Sequence, residues 1–281
     1  MVKKSIVISA SRMTDMPAFY PEEIINEIDS RKSRGFVIHS IVLWTKHVQS
    51  IFKEPLSSYL KEQQKAGTQL YIQLTVTGMG GDVFVIGNNQ IKVFPEPCVP
   101  KMSESLAYVS DLAEFAGNPH RIRLRVDPLI RLRDAQGQLF DNYKMLGNII
   151  QFLAPKGIKS FTFSFLEKDV YRKVDNRFSR HGIEVLPPSL EERKLFAEDI
   201  NALAERLNVS VTSCSVHGLP SSACIDGNLL VQLHDHHWPL DLSQPQSRLL
   251  CGCTKSVDIG GWPPKVCNSG CLYCYARPKI V

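Results

Sequence analysis

The sequence has no apolar run long enough to cross a membrane. Its longest, Ser5 to Ala10 and Phe36 to Trp44, are strand-sized, whereas a membrane helix needs about 20 apolar residues. It also lacks any run of lysines or arginines, any internal repeat and any low-complexity stretch. A membrane anchor, a polybasic nucleic-acid arm and a solenoid are therefore not expected. Lys3 and Lys4 precede the first apolar stretch, but that stretch is too short for a signal-peptide core and meets Ser11 and Arg12 at once. The expectation is a cytoplasmic protein.

What is present is ordinary in amount and uneven in placement. The 281 residues, 43% hydrophobic and 22% charged, suffice for one large core or two smaller ones. The net charge of +5, from 33 Lys and Arg against 28 Asp and Glu, suits an anionic substrate without requiring one. Five of the eight cysteines (Cys251, Cys253, Cys267, Cys271 and Cys274) lie in the last 31 residues, where an even spread would put about one.

Apolar β-branched runs alternate with stretches of helical period, which predicts six parallel βα units. The strands are read as Ile6 to Ser9, Phe36 to Trp44, Gln69 to Thr77, Arg121 to Val126, Ser160 to Phe165 and Ser210 to Cys214. Helices follow from near Pro21, from about Pro55, from Ser103 as a cap, from about Phe140, and from the Ser189 and Glu192 capping box. A shorter one covers Ile225 to Leu233. A hairpin is read around Gly87-Asn88-Asn89. From His234 the periodicity fails. The fold class expected is α/β, a partial (β/α)6 TIM-like barrel over residues 1–233 with a metal-binding tail over 234–281.

Parallel α/β folds gather ligand chemistry at the C-terminal ends of their strands. Here those ends carry Arg12 and Asp15, Lys46, Gly80-Gly81-Asp82, Arg125 and Asp127, Glu167, and His217. Loops are polar in any case, so a single such residue says little. Arg125 and Asp127, one residue apart on a strand, share a face. Charges there must pair or hold a ligand. Arg121 and Arg123, at the strand start, read as solvated, and the lone histidines His39, His120 and His181 as surface or core residues.

The tail admits several readings. Disulfides do not suit a cytosolic chain, and three thiols in the last segment cannot all pair among themselves. Zinc is open, with Cys271 and Cys274 as a pair and Cys251 and Cys253 as an irregular second one. An iron–sulfur cluster is the third reading. Cys251 or Cys253 could close such a cluster as a fourth ligand, giving an electron-transfer or structural protein, or bind a second metal. A zinc-stapled barrel would be a hydrolase or a binding module. Cys214 and Cys224 are either buried small hydrophobes or thiols in the mouth, and Cys98 is incidental.

Cys267, Cys271 and Tyr273-Cys274 resemble the CxxxCxxC motif, with an aromatic before its last cysteine, of radical S-adenosylmethionine (SAM) enzymes. That resemblance implies a [4Fe-4S] cluster on three cysteines, an open iron that chelates SAM, radical chemistry on a small-molecule or nucleotide-type substrate, and an electron donor such as flavodoxin or ferredoxin. Nucleic acid as a substrate has no support from aromatic–basic interleaving. Two departures stand out. The motif closes the chain instead of following the first strand, and the Gly-Gly-acidic stretch for the SAM amino group is matched only by Gly80, Gly81 and Asp82.

The chain also resembles the family called domain of unknown function 1848. The resemblance rests on residues 8–20, Leu43-Trp44-Thr45-Lys46, residues 73–78, Asp127-Pro128, residues 223–227, Cys251-Gly252-Cys253, residues 256–260, and Cys267 with residues 270–276. It implies a C-terminal cluster similar to the radical SAM one on a related barrel. The residues then expected at the site are Arg12, Asp15, Lys46, Arg125 and Asp127 toward substrate, Gly80, Gly81, Asp82 and Tyr273 toward the cofactor, and Cys267, Cys271, Cys274, Cys251 and Cys253 toward metal.

Overall fold

The β-branched runs become strands because each can bury both faces, as interior parallel strands require. In the computed structural model, which describes residues 5–245 and 250–280, six strands lie side by side in chain order, all parallel: β1 (Ser5–Ala10), β2 (Val37–Thr45), β3 (Gln69–Thr75), β4 (Ile122–Leu129), β5 (Ser160–Phe165) and β6 (Ser210–Ser213). The reading of Lys3 and Lys4 falls outside the described residues. The expected α/β class holds. Among the described residues no helix is long and apolar enough to cross a membrane.

A seventh strand, β7 (Val257–Asp258), comes from the cysteine-rich tail and pairs parallel with β1, Ile8 against Val257 and Ser9 against Asp258. Its two residues carry no length signal, so periodicity does not reveal it. Among the described residues the sheet is open, with β6 and β7 as its edges.

Alternation along the strands divides two cores. Ile8, Ala10, Ile41, Leu43, Leu70, Ile72 and Leu74 pack with Ile24 and Ile28, Leu56 and Leu60, Leu112, and Leu146, Ile149 and Leu153 from the connecting helices. Strands in chain order with right-handed crossovers place those helices on one face. On the other face Val7, Val42, Trp44 and Tyr71 meet Cys224, Ile225, Leu230 and Cys253.

That second face is covered by residues 223–238, a helix (Gly227–Leu233) and its flanking loops. Buried backbone carbonyls need donors, and the sheet supplies them from long side chains. Gln73 donates to the Cys224 carbonyl at 2.5 Å, Arg123 to Ala223 at 2.7 Å, Gln69 to Leu230 at 3.1 Å and Arg121 to Leu233 at 2.6 Å. His39 Nε2 donates to Trp238 at 3.0 Å. The expectation that Arg121 and Arg123 are solvated is thus corrected: they are 4% and 5% exposed, and the covering segment's carbonyls hold them there.

The insertions form a third cluster. The hairpin Val85–Ile86/Lys92–Val93 turns where expected. A small antiparallel sheet joins Arg131–Arg133, Leu139–Asp141 and Glu184–Val185, and a helix spans Arg172–Arg180. With them pack Cys271, Leu272 and Tyr273 of the tail. Phe140 therefore sits in a strand, and the helix begins at Tyr143. Asn142 sets that boundary, accepting from the Ile130 amide and donating to the Thr77 and Pro128 carbonyls. Ser103 lies inside the helix Met102–Ala107 and does not cap it. The helix Arg172–Arg180 buries only Val174 and Phe178, too few to register as a period in the sequence. The Ser189 and Glu192 capping box is present.

Burial, then the neighbouring His234, pushes the His39 pKa down to about 4, against the opposing effect of the Trp238 carbonyl. An unfolded histidine titrates near about 6.5. Between those values the unfolded chain binds a proton that the folded chain refuses, so stability falls as pH drops, by on the order of 3 kcal/mol for this group. His39→Gln is expected to flatten the acid limb of the urea-unfolding free energy between about pH 7 and pH 4. An unaltered limb would show that His39 does not carry it.

Candidate active site

At the C-terminal ends of the strands lies a cavity of about 960 Å³. Its wall includes Arg12, Asp15, Lys46, Arg125, Asp127 and Tyr273, and the thiols of Cys251, Cys253, Cys267, Cys271 and Cys274. Cys214 and Cys224 line it too, so seven of the eight cysteines face one space.

Each charged wall residue is fixed by its own network. Asp15, 7% exposed, caps the helical turn Met16–Phe19 through Ala18 and accepts from the Lys46 amide at 2.7 Å and the Thr45 hydroxyl at 3.0 Å. Its oxygens tie the loops after β1 and β2 together, a positioning task. Arg125 donates to Asp127 and, at 2.8 Å, to the Cys224 sulfur, with its guanidinium 5.0 Å from the Trp44 ring centroid. Ser164 donates to the other oxygen of Asp127. Arg12 is exposed and lies 5.8 Å from the same indole.

Lys46 faces a residue that periodicity cannot flag, Glu96 of the irregular insertion, which is 1% exposed. The Lys46 ammonium binds Glu96 at 2.8 Å and sits 5.6 Å from the Tyr273 ring centroid, while the Tyr273 hydroxyl donates to Glu96. Burial works to lower the Lys46 pKa, but Glu96, Cys271 and Asp127 together reverse it and hold the ammonium above its ordinary range. A second missed group, Arg193, clamps Glu167 with two hydrogen bonds at 2.7 and 2.8 Å. A signal for it existed: on the helix Leu190–Leu207 it precedes Phe196 by three residues and Ile200 by seven, which puts a charge on the apolar face.

The motif thiols sit in a loop stitched by main-chain bonds. Cys267 and the segment 277–279 exchange hydrogen bonds at 2.9 and 2.8 Å, and Arg177 donates to the Leu272 and Cys274 carbonyls at 3.1 and 2.6 Å. The Ala276 amide points at the Cys274 sulfur from 3.4 Å. Burial pushes the Cys271 thiol well up and the Cys274 thiol up. Cys251 and Cys253 do not join this group: Cys253 contacts Cys224 and Cys251. Among the described residues no three His, Cys, Asp or Glu side chains are arranged to hold a metal ion as they stand.

Gly80, Gly81 and Asp82, expected near a SAM amino group, lie outside the cavity wall. Chain crossing accounts for the glycines. A Cβ at Gly80 would fall 2.2 Å from the Pro100 carbonyl oxygen, and Gly81, at φ +72°, lies under Lys101. Asp82 is exposed and pairs with Lys101.

A family model described as "Domain of unknown function (DUF1848)" matches residues 32–276. The chain belongs to this family. No curated protein matches the DUF1848 chain. Among solved structures, Streptococcus suis SuiB bound to S-adenosylmethionine is similar at 10% identity and a TM-score of 0.39, over 76% of this chain and 48% of that one. The DUF1848 chain thus spans about half the length of that protein.

Removing one partner of a buried pair leaves an uncompensated charge, at about 3–5 kcal/mol. Glu96→Gln in the DUF1848 chain is therefore expected to lower unfolding stability by about that amount, and adding Lys46→Met to recover most of it. A double variant no more stable than Glu96→Gln alone would refute the pairing in equilibrium denaturation.

Proposed function

We propose that the cavity is the active site of a radical-SAM-type enzyme on a partial (β/α)6-like barrel, with a [4Fe-4S] cluster on Cys267, Cys271 and Cys274. One observation carries the reading: the three thiols of a CxxxCxxC motif stand on the same cavity wall as the strand-end charges Lys46, Arg125 and Asp127. The chemistry of the donor set supports the reading, although the sulfurs would have to turn toward one centre to bind the cluster. The set has three sulfurs, an amide directed at one of them, and Cys251 and Cys253 engaged with Cys224 instead of supplying a fourth ligand. When bound, the cluster would supply an open iron for SAM and the electron for its reductive cleavage.

The chain's own residues would do the rest. Lys46, held cationic, and Arg12, on the indole of Trp44, would attract a carboxylate or phosphate of a small-molecule or nucleotide-type substrate. Arg125, braced by Asp127 and Ser164, presents fixed donors without the reorganisation a solvated side chain needs. Tyr171 and Tyr275, stacked with centroids 4.9 Å apart, would help exclude water at the rim. An external reductant such as flavodoxin or ferredoxin would deliver the electron.

Anaerobically purified protein is expected to carry iron and acid-labile sulfide, and Cys271→Ala to lose at least the cluster on this loop. With reductant and SAM, the wild type should yield 5′-deoxyadenosine and Cys271→Ala none. A cluster whose electron paramagnetic resonance signal ignores SAM would favour a closed electron-transfer site. A colourless protein with zinc bound at Cys267, Cys271 and Cys274 would overturn the reading.

A further inference from the structure

Four cysteines stand outside the motif loop yet line the same cavity. Their sulfurs form a chain of contacts: Cys214 to Cys224 at 3.4 Å, Cys224 to Cys253, and Cys253 to Cys251. We propose that Cys214, Cys224, Cys251 and Cys253 form a second metal centre, a tetrathiolate site for a single thiophilic divalent cation such as zinc.

Three local features bring these sulfurs together. The segment 251–254 runs alongside 222–225, with Gly252 donating to Ser222 at 3.0 Å and Thr254 to Ile225 at 2.9 Å. That pairing holds Cys251-Gly252-Cys253 in register with Cys224, and side chains two apart on an extended segment share a face. Cys224 is anchored from below by Gln73, which holds its carbonyl. Cys214 sits at the end of β6, its amide bonded to the Phe163 carbonyl at 2.7 Å.

Directed donors reach two of these sulfurs. The consecutive amides of Cys224 and Ile225 both point at the Cys253 sulfur, at 3.2 and 3.4 Å. Such paired amides orient and stabilise a thiolate ligand. The Arg125 guanidinium donates to the Cys224 sulfur at 2.8 Å. Four thiolates around a divalent ion leave a double negative charge, and Arg12, Arg123 and Arg125 are the cations that face these thiols.

The close sulfur pair of Cys214 and Cys224 is nearer to the spacing of a single-ion site than to that of a cluster. Tetrahedral zinc with Zn–S near 2.3 Å sets sulfurs about 3.8 Å apart, close to the 3.4 Å of Cys214 and Cys224. The corner thiolates of a four-iron cluster stand much further apart. The sulfurs now form an open chain, and no common centre exists among them. Binding therefore requires Cys214 and Cys251, at the chain's ends, to rotate inward, and each thiol still protonated to release its proton to solvent.

The test separates this centre from the motif loop. Full-length protein carrying Cys267→Ala, Cys271→Ala and Cys274→Ala together is expected to bind one zinc per chain, with sulfur-only coordination in X-ray absorption. Cobalt(II) should give it the intense visible bands of a tetrahedral thiolate site. Adding Cys224→Ala should weaken zinc at least tenfold in chelator competition while circular dichroism stays unchanged. A folded triple variant that takes up no metal, binds it through nitrogen or oxygen, or holds stoichiometric sulfide would overturn the proposal. If the triple variant does not fold, metal-free wild type is alkylated with and without zinc. Joint protection of Cys214, Cys224, Cys251 and Cys253, with Cys98 still reactive, supports the site, and independent reactivity of the four overturns it.

Discussion

Everything at the mouth depends on how the second face of the sheet is covered. A sheet face can be closed by apolar side chains alone only if the covering element satisfies its own backbone, as a long helix does. Here the cover is a seven-residue helix between loops, and its carbonyls reach for donors on the sheet. Gln69, Gln73, Arg121, Arg123 and His39, on three neighbouring strands and the turn before one of them, meet those carbonyls. These bonds fix Cys224 and the segment beside it, and so fix which groups stand over the strand ends. The same low dielectric that makes an unmet carbonyl costly makes the arrangement specific.

Much of this was legible beforehand, for identifiable reasons. Strands such as Gln69–Thr75 announce themselves through alternation, and Ser189 with Glu192 marks a helix start by local chemistry. The pairing of Arg125 with Asp127 follows from their spacing on a strand. What could not be read depends on partners distant in sequence. Arg123 looks like a surface charge until the carbonyl of Ala223 is seen above it. Glu96 lies in a stretch without period, and only the fold places it under Lys46 and Tyr273. Cys214 and Cys224, ten residues apart, resemble ordinary buried thiols until the 251–254 segment arrives beside them. Gly80 and Gly81 resemble a stretch that meets the SAM amino group, and the close approach of Pro100 and Lys101 gives the glycines a packing role that the sequence does not announce.

The two groups of thiols sit in different chemical settings within one space. On the motif loop, burial and then Glu96 disfavour charge on the Cys271 sulfur, and burial does the same at Cys274. Beside the covering segment, hydrogen bonds among the thiols hold the pKa values of Cys224 and Cys251 down and push those of Cys214 and Cys253 up. Arg125 touches Cys224 on one side and Asp127 on the other, and Asp127 and Cys271 both act on Lys46. The two groups of thiols are thus linked through a chain of charges across the cavity.

The strand β7 has a consequence for how the molecule is made. Asp258 accepts from Ser9 and Ser11, residues 249 and 247 positions earlier. Contacts of such separation form late, because the roughly 250 residues between the partners must be present before they can close. During synthesis the edge of β1 therefore waits, unpaired, until the cysteine-rich segment has emerged. The thiols of that segment reach the cavity only after every strand that precedes them in the chain has been made.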